Sequence, residues 1–193
     1  MRVNEIFYSL QGEGAYTGSA AIFIRLSGCN LACGFCDTKH QPYKELTKEE
    51  IMQEIAGFAA KHIVFTGGEP SLQLDAETLH FFKAHGYFIQ VETNGTRKMP
   101  LTCIDWVTCS PKGDYCKNAE IKQEHIDEVK VVFDGKTDPE KYLSLKAKLY
   151  FLQPCDVGDA EQNEKITQQC VEYILAHPQW HLSLQTQKIL KVR

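Results

Sequence analysis

The sequence predicts an α/β fold in which a mainly parallel sheet is covered by helices. Two observations carry that expectation. Short β runs alternate with helical stretches from one end of the chain to the other. No repeat, low-complexity tract or linker interrupts the 193 residues, 43% of which are hydrophobic, enough for one domain with a real core. The chain therefore reads as a single domain over 1–193: an N-terminal cover (1–19), a barrel-like core (20–154), and a C-terminal helix, strand and tail (155–193).

Each element has a local reason. Arg2–Leu10 reads as an extra N-terminal strand or cover, and the apolar run Ala20–Leu26 as the first core strand. Thr47-Lys-Glu-Glu50 is a capping box, in which the Thr47 hydroxyl and the Glu50 carboxylate satisfy orphan amides. Ile51, Ile55 and Phe58 then mark one helical face. His62–Thr66 is the next strand. Asp75 caps a second helix carrying Leu79 and Phe82, which stops at Gly86. Tyr87–Val91, Ile104–Cys109, Glu128–Phe133 and Leu149–Gln153 supply further strands. Asp138-Pro139 is expected to start a third helix with proline at its first position. A longer helix runs from about 163 to 176 on Ile166, Cys170, Val171, Ile174 and Leu175, ending before Pro178. From Ala20 onward about six strands appear, with fewer helices between them than an eight-fold barrel needs.

Composition excludes several classes. A formal net charge of −4 with dispersed basic residues offers no face for nucleic acid. No stretch approaches the roughly 20 apolar residues that span a bilayer. The start Met-Arg-Val-Asn-Glu carries no apolar signal core, so a soluble, cytoplasmic chain is expected.

Cysteine usage points to chemistry. Cys29, Cys33 and Cys36 stand as C-x3-C-x2-C just after the first core strand. Three thiolates are one short of a closed iron–sulfur cube or structural zinc site. A [4Fe–4S] cluster held by three cysteines keeps one iron free for a small chelating molecule. A Cys3His zinc knuckle completed by His40 is the plain alternative, but zinc explains neither the glycine turn described next nor the ordered strands. Cys103, Cys109 and Cys116 lie close enough in sequence to raise the question of a second cluster. These three, with Cys155 and Cys170, read more simply as free thiols without a site role.

Two further turns accompany the triplet. Gly67-Gly68-Glu69-Pro70 ends the second core strand and Glu92-Thr-Asn-Gly-Thr96 the third. In this order the motifs resemble the radical S-adenosylmethionine (SAM) superfamily, which implies a partial (β/α) barrel, here trimmed to about six parallel strands. Ser9-Leu-Gln-Gly-Glu-Gly14, Arg25, Cys36-Asp-Thr38, Ser110-Pro-Lys112, Leu152-Gln-Pro154 and the tail Ser183–Lys188 narrow the likeness. Together they resemble the 7-carboxy-7-deazaguanine synthase family across the whole chain.

That resemblance implies an activity and a site. The activity is conversion of 6-carboxy-5,6,7,8-tetrahydropterin to 7-carboxy-7-deazaguanine with loss of ammonia, a step of 7-deazapurine and queuosine biosynthesis. The implied cofactors are a [4Fe–4S] cluster on Cys29, Cys33 and Cys36, SAM, and Mg2+ at Thr38. SAM falls to Gly68, Glu69, Ser110, Pro111 and Lys112, with Gln153 and Glu92 nearby. The pterin falls to Leu10, Gln11, Gly12, Glu13, Thr66 and Arg25, the last forking onto the substrate carboxylate as lysine cannot. Flavodoxin as electron donor and a homodimer are further implications. The tail is expected to fold back over the pocket with its terminal carboxylate inward. One position departs from the family: Gln187 stands where histidine is common.

Two other readings compete. A glycyl-radical-enzyme activase shares the cluster spacing but needs an open groove for a protein backbone. A non-catalytic iron–sulfur or zinc protein needs no SAM-type turns.

Overall fold

The structure, a computed structural model, describes residues 1–36, 38 and 40–193, the side chain of Leu101 excepted. A nine-stranded sheet forms its frame. In chain order the strands are β1 (Arg2–Leu10), β2 (Ala20–Leu26), β3 (Lys44–Glu45), β4 (His62–Gly67), β5 (Phe88–Thr93), β6 (Trp106–Cys109), β7 (Glu128–Phe133), β8 (Leu149–Pro154) and β9 (Trp180–Leu182). Their spatial order is β3-β1-β2-β4-β5-β6-β7-β8-β9. β1 runs antiparallel to β2 and to β3, whereas every pairing from β2 to β9 is parallel. The sheet stays open, a partial barrel. Its parallel part has seven strands, the expected six plus β9.

The helices are α1 (Lys48–Ile55), α2 (Ala76–Ala84), α3 (Ala160–Ala176) and α4 (Thr186–Leu190). The capping box at Thr47 and Glu50 closes in both directions. The Asp75 carboxylate accepts the Thr78 amide at 2.8 Å, and Asp159 caps α3 in the same way, so that α3 begins three residues before the expected start. The third helix expected at Asp138-Pro139 is instead a 3-10 segment, Glu140–Ser144, with Pro139 at its N-cap. The Tyr142 and Leu145 amides each bond three residues back, and Leu145 has already turned extended to meet β8.

Alternation along the strands sorts the two faces of the sheet. On β7, Val129, Val131 and Phe133 pack into a buried core with Ile166 and Cys170 of α3. Glu128, Lys130 and Val132 point the other way. On β2 and β4, Ile22, Ile24, Leu26, Ile63 and Phe65 join a second core with α1 and α2. The opposite face carries Phe23, Arg25, Val64 and Thr66. The outer face is thus oily and helix-covered, and the inner face mixes a small apolar cluster of Phe7, Ala21, Phe23 and Val64 with polar and charged side chains.

The β1–β2 connection fills the inner face from below. Tyr16 stands edge-on to His62, Phe88 and Trp106, which open β4, β5 and β6. The Gly14 amide donates to Ser183 Oγ and the Ala15 amide to Glu128 Oε2. This plug closes the N-terminal end of the strands and leaves the C-terminal end open.

Candidate active site

A cavity of about 590 Å3 lies inside the partial barrel. It is lined from strand ends and the loops that follow them, the usual location for chemistry in a parallel α/β barrel. Its size suits a small-molecule site. Leu10, Gln11, Gly12, Glu13, Arg25, Thr66, Gly68, Glu92, Ser110, Lys112, Gln153, Thr38 and all three motif cysteines line it. Glu69 and Pro111 do not: both are buried behind the wall. Asp37 of the Cys36-Asp-Thr38 motif lies outside the described residues.

Backbone contact between two loops sets the cysteine end. The Gly68 amide donates to Leu26 O and the Glu69 amide to Gly28 O, both at 2.8 Å. A Cβ at Gly68 would stand 1.9 Å from the Gly28 carbonyl oxygen, so only glycine lets the loops meet. Glu69, expected at SAM, is fully buried and turned away from the cavity. Its Oε1 accepts the Ser71 amide and the Thr93 hydroxyl, and its Oε2 accepts the Asn94 amide. This carboxylate locks the loop after β4 to the loop after β5. Asn94 passes the order on, its side-chain amide reaching Asn30 Oδ1 at 3.1 Å beside Cys29.

Burial raises the Cys29 thiol, and burial with the neighbouring Cys116 thiol pushes Cys33 up to about 12. Thiolates form at such positions against the positive charge of bound iron. Among the described residues no three His, Cys, Asp or Glu side chains converge as ligands of one metal ion do. A cubane makes a different demand, because each thiolate takes its own iron. The His40 ring nitrogen Nδ1 accepts the Gly28 amide, so the Cys3His reading finds that atom already engaged. Three cysteines around the open cavity, beside a glycine pair pressed against their loop, fit a [4Fe–4S] cluster with one iron facing a ligand.

Cys116, a free thiol as expected, lies against the motif triplet. Its Sγ lies 3.4 Å from Cys33 Sγ, carried there by the loop after β6. Cys109 and Cys170 are buried in the cores as expected, while Cys155 is buried at the cavity edge.

Lys112 folds back on its own loop, its ammonium donating to Ser110 O at 2.7 Å and Ser110 Oγ at 2.5 Å. Burial lowers its pKa. Among the described residues it forms no ion pair with a carboxylate. A cavity-facing cation without a counter-ion is a receptor for an anion.

The opposite wall is carboxylate-rich, and here sequence reasoning missed the central residue. Lys130, on the inner face of β7, donates to Glu13 Oε2 at 2.5 Å and to Glu92 Oε2 at 3.3 Å. The alternation Glu-Val-Lys-Val in β7 was the signal for an inward lysine, but its partners lie far away in sequence. Gln11 is 2% exposed and turned to its neighbours. Its amide nitrogen donates to Glu92 Oε1, and its carbonyl accepts the Glu13 amide. Glu13 Oε1 accepts the side-chain amides of Gln185 and Gln187. Burial raises the Glu13 carboxyl, but the charge and hydrogen bond of Lys130 and the two glutamine amides outweigh it and hold Glu13 at about 2.

Arg25 lines the cavity and also forms a structural pair, Nε to Glu5 Oε1 at 2.8 Å. Glu5 Oε2 takes Arg193, the last residue, at 2.7 Å. Both guanidinium groups lie over the Phe7 ring. Thr38 Oγ1 reaches the Gly67 carbonyl at 3.4 Å, and Gln153 Oε1 accepts the Ser183 hydroxyl.

Comparison with known proteins agrees with this geometry. Residues 23–107 match the Radical SAM superfamily. A 7-carboxy-7-deazaguanine synthase of Bacteroides thetaiotaomicron is 46% identical over 192 residues, covering 100% of this chain and 98% of the relative. That of Caulobacter vibrioides is 40% identical, covering 97% of each. The crystal structure of QueE from Escherichia coli superposes with a TM-score of 0.77 at 31% identity, over 95% of this chain and 92% of that one. Matched along nearly its whole length by such relatives, the chain belongs to the 7-carboxy-7-deazaguanine synthase family of radical SAM enzymes, a family that implies a [4Fe–4S] cluster and SAM.

Proposed function

We propose that this enzyme converts 6-carboxy-5,6,7,8-tetrahydropterin to 7-carboxy-7-deazaguanine, releasing ammonia, as a radical SAM lyase of queuosine-type biosynthesis. The observation that carries the reading is the division of one cavity into a cationic and an anionic side. The cysteine loop, the Gly67-Gly68 turn and Lys112, without a carboxylate partner among the described residues, occupy one side. Glu13 and Glu92 occupy the other, with Arg25 between the cavity and the outer strands.

Cys29, Cys33 and Cys36 would hold the cluster, and when bound it supplies the electron that cleaves SAM reductively to a hydrogen-abstracting radical. Lys112 and Ser110 would take the SAM carboxylate and ribose, and Gly68 lets backbone approach the methionine end. Gln153, tied to Ser183, borders the same space. Arg25 would fork onto the pterin carboxylate with the terminal nitrogens that Glu5 leaves free. Glu13 accepts from the pterin's N–H edge, while Leu10, Gly12 and Thr66 shape the pocket around the ring. Glu92 belongs to this substrate side more than to SAM, since Gln11 and Lys130 hold it there. Thr38 offers a hard hydroxyl oxygen toward the cavity, suited to magnesium that also takes substrate oxygens. The plug at the strand bases and the returning tail keep bulk water from the reacting centre. A flavodoxin-like donor, a homodimer and a cytoplasmic setting complete the proposal. Among the described residues no helix is long and apolar enough to cross a membrane.

The test is anaerobic reconstitution with iron and sulfide, followed by SAM, a low-potential reductant and the carboxy-tetrahydropterin. Mass spectrometry should find 7-carboxy-7-deazaguanine. SAM cleavage without that product would reject the substrate, and no SAM cleavage at all would reject the radical reading.

A further inference from the structure

The cavity's anionic wall is built around a cation that no motif announces. The Lys130 side chain is 6% exposed, and Glu13 and Glu92 come to it from the β1–β2 plug and from β5. The charged groups facing it are Glu13, Glu92 and Glu128, with Lys112 farther off. Glu128 is engaged elsewhere, accepting the Ala15 amide and the Trp106 indole N–H. Two neighbouring carboxylates in a half-buried pocket do not both stay ionised unaided, since like charge and desolvation push one to take up a proton. A protonated carboxyl donates a hydrogen bond where a carboxylate accepts one. The cation therefore decides what the wall recognises.

Gln187 backs this wall behind Glu13. Gln187 donates its amide nitrogen to Glu13, and its Oε1 is buried with no partner among the described residues. Gly12 lies directly against it: a Cβ there would stand 1.7 Å from Oε1. An orphaned buried acceptor costs free energy until a donor arrives. Glu13 and Glu92 together present carboxylate oxygens at one end of the cavity, with Lys130 between them.

We propose that Lys130 is a positioning residue that holds Glu13 and Glu92 as paired hydrogen-bond acceptors, so that they select the N–H-rich edge of a reduced pterin. The inference rests on the pterin reading above and deepens it. Lys130 touches the two acids, not the substrate. Burial lowers its pKa, but Glu13, Glu92 and Glu128 outweigh that and raise it, so its charge persists across the physiological range.

Lys130→Met, Lys130→Arg and Lys130→Met/Glu13→Gln would be compared with the unaltered holoenzyme. Iron content and thermal unfolding check the fold. Anaerobic equilibrium binding of 6-carboxytetrahydropterin between pH 5 and 9 reads recognition. Infrared difference spectra without substrate read the acids directly, through the carbonyl band of a protonated carboxyl. Lys130→Met should keep its iron, bind the pterin about tenfold or more weakly, and weaken further as pH falls. It should show a protonated-carboxyl band at pH 6, which the double variant reduces. Lys130→Arg should restore binding and its flat pH profile. Loss of iron in both single variants, or a binding loss that does not vary with pH, would make Lys130 merely structural and overturn the proposal. Unchanged binding with no carboxyl band would overturn it as well. If the unaltered protein does not bind the pterin, the functional reading fails, and the infrared band still decides whether Lys130 sets the charge of the wall.

Discussion

At the scale of single residues, the site is a set of charges whose states are fixed by their neighbours. Glu13 is held at about 2, against 4.5 for an unperturbed glutamate. A carboxylate whose folded pKa is depressed adds stability above its unfolded pKa and loses it as pH falls toward the folded value. The Glu13 contribution is therefore complete above pH 4.5 and vanishes between pH 4.5 and about 2. Urea unfolding across that range should show a shallower loss of stability in Glu13→Gln than in the unaltered protein, and parallel curves would count against the Lys130 pair. Arg25 gives a second residue-scale prediction. Lysine at this position reaches neither Glu5 nor the substrate with a fork, so Arg25→Lys should keep its iron while the KM for the pterin rises about tenfold. Unchanged steady-state kinetics would remove Arg25 from substrate recognition.

At the scale of elements, loops after successive parallel strands assemble the site, and helix caps hold its frame. Gly68→Ala places a Cβ against the Gly28 carbonyl, so the loops after β2 and β4 must separate. Reconstituted Gly68→Ala should hold well under the about four irons per chain that one cluster requires. Iron analysis and the visible absorbance check this, and a full complement would show that the loop contact does not matter for the cluster. The caps behave differently. Asp75→Ala removes the bond to the Thr78 amide and should cost about 1 kcal/mol of stability by urea unfolding. It lies on the outer, helical side, away from the cavity. Altered pterin KM in that variant would mean that α2 is coupled to the site.

At the scale of the whole molecule, the two chain ends meet across the cavity mouth. Thr186 donates its amide and hydroxyl to Gly12 O, Lys188 pairs with Asp156, and Arg193 pairs with Glu5. These ties bridge the open side of the sheet, where β9 and the antiparallel β1 and β3 leave the barrel incomplete. The frayed end usual for a terminus is replaced by a strap. A tag appended after Arg193 should raise the pterin KM much more than a tag before Met1, with iron content equal in the two. Equal kinetics would show that the strap plays no part in closing the pocket.

The sequence by itself determined the parallel α/β frame, the cysteine triplet, the glycine turn and most strand and helix positions. These are written in local signals: alternation in Glu128–Phe133, a capping box at Thr47, three cysteines within eight residues. It misjudged the segment after Pro139, because a good start signal says nothing of how soon the next strand must begin. Only the tertiary structure placed Lys130 between Glu13 and Glu92, turned Glu69 inward, and set Cys116 beside Cys33. Each of those contacts joins residues at least 24 apart in sequence. Ion pairing and burial depend on distance in space, and a parallel sheet brings distant strand ends together only once it has closed around its core.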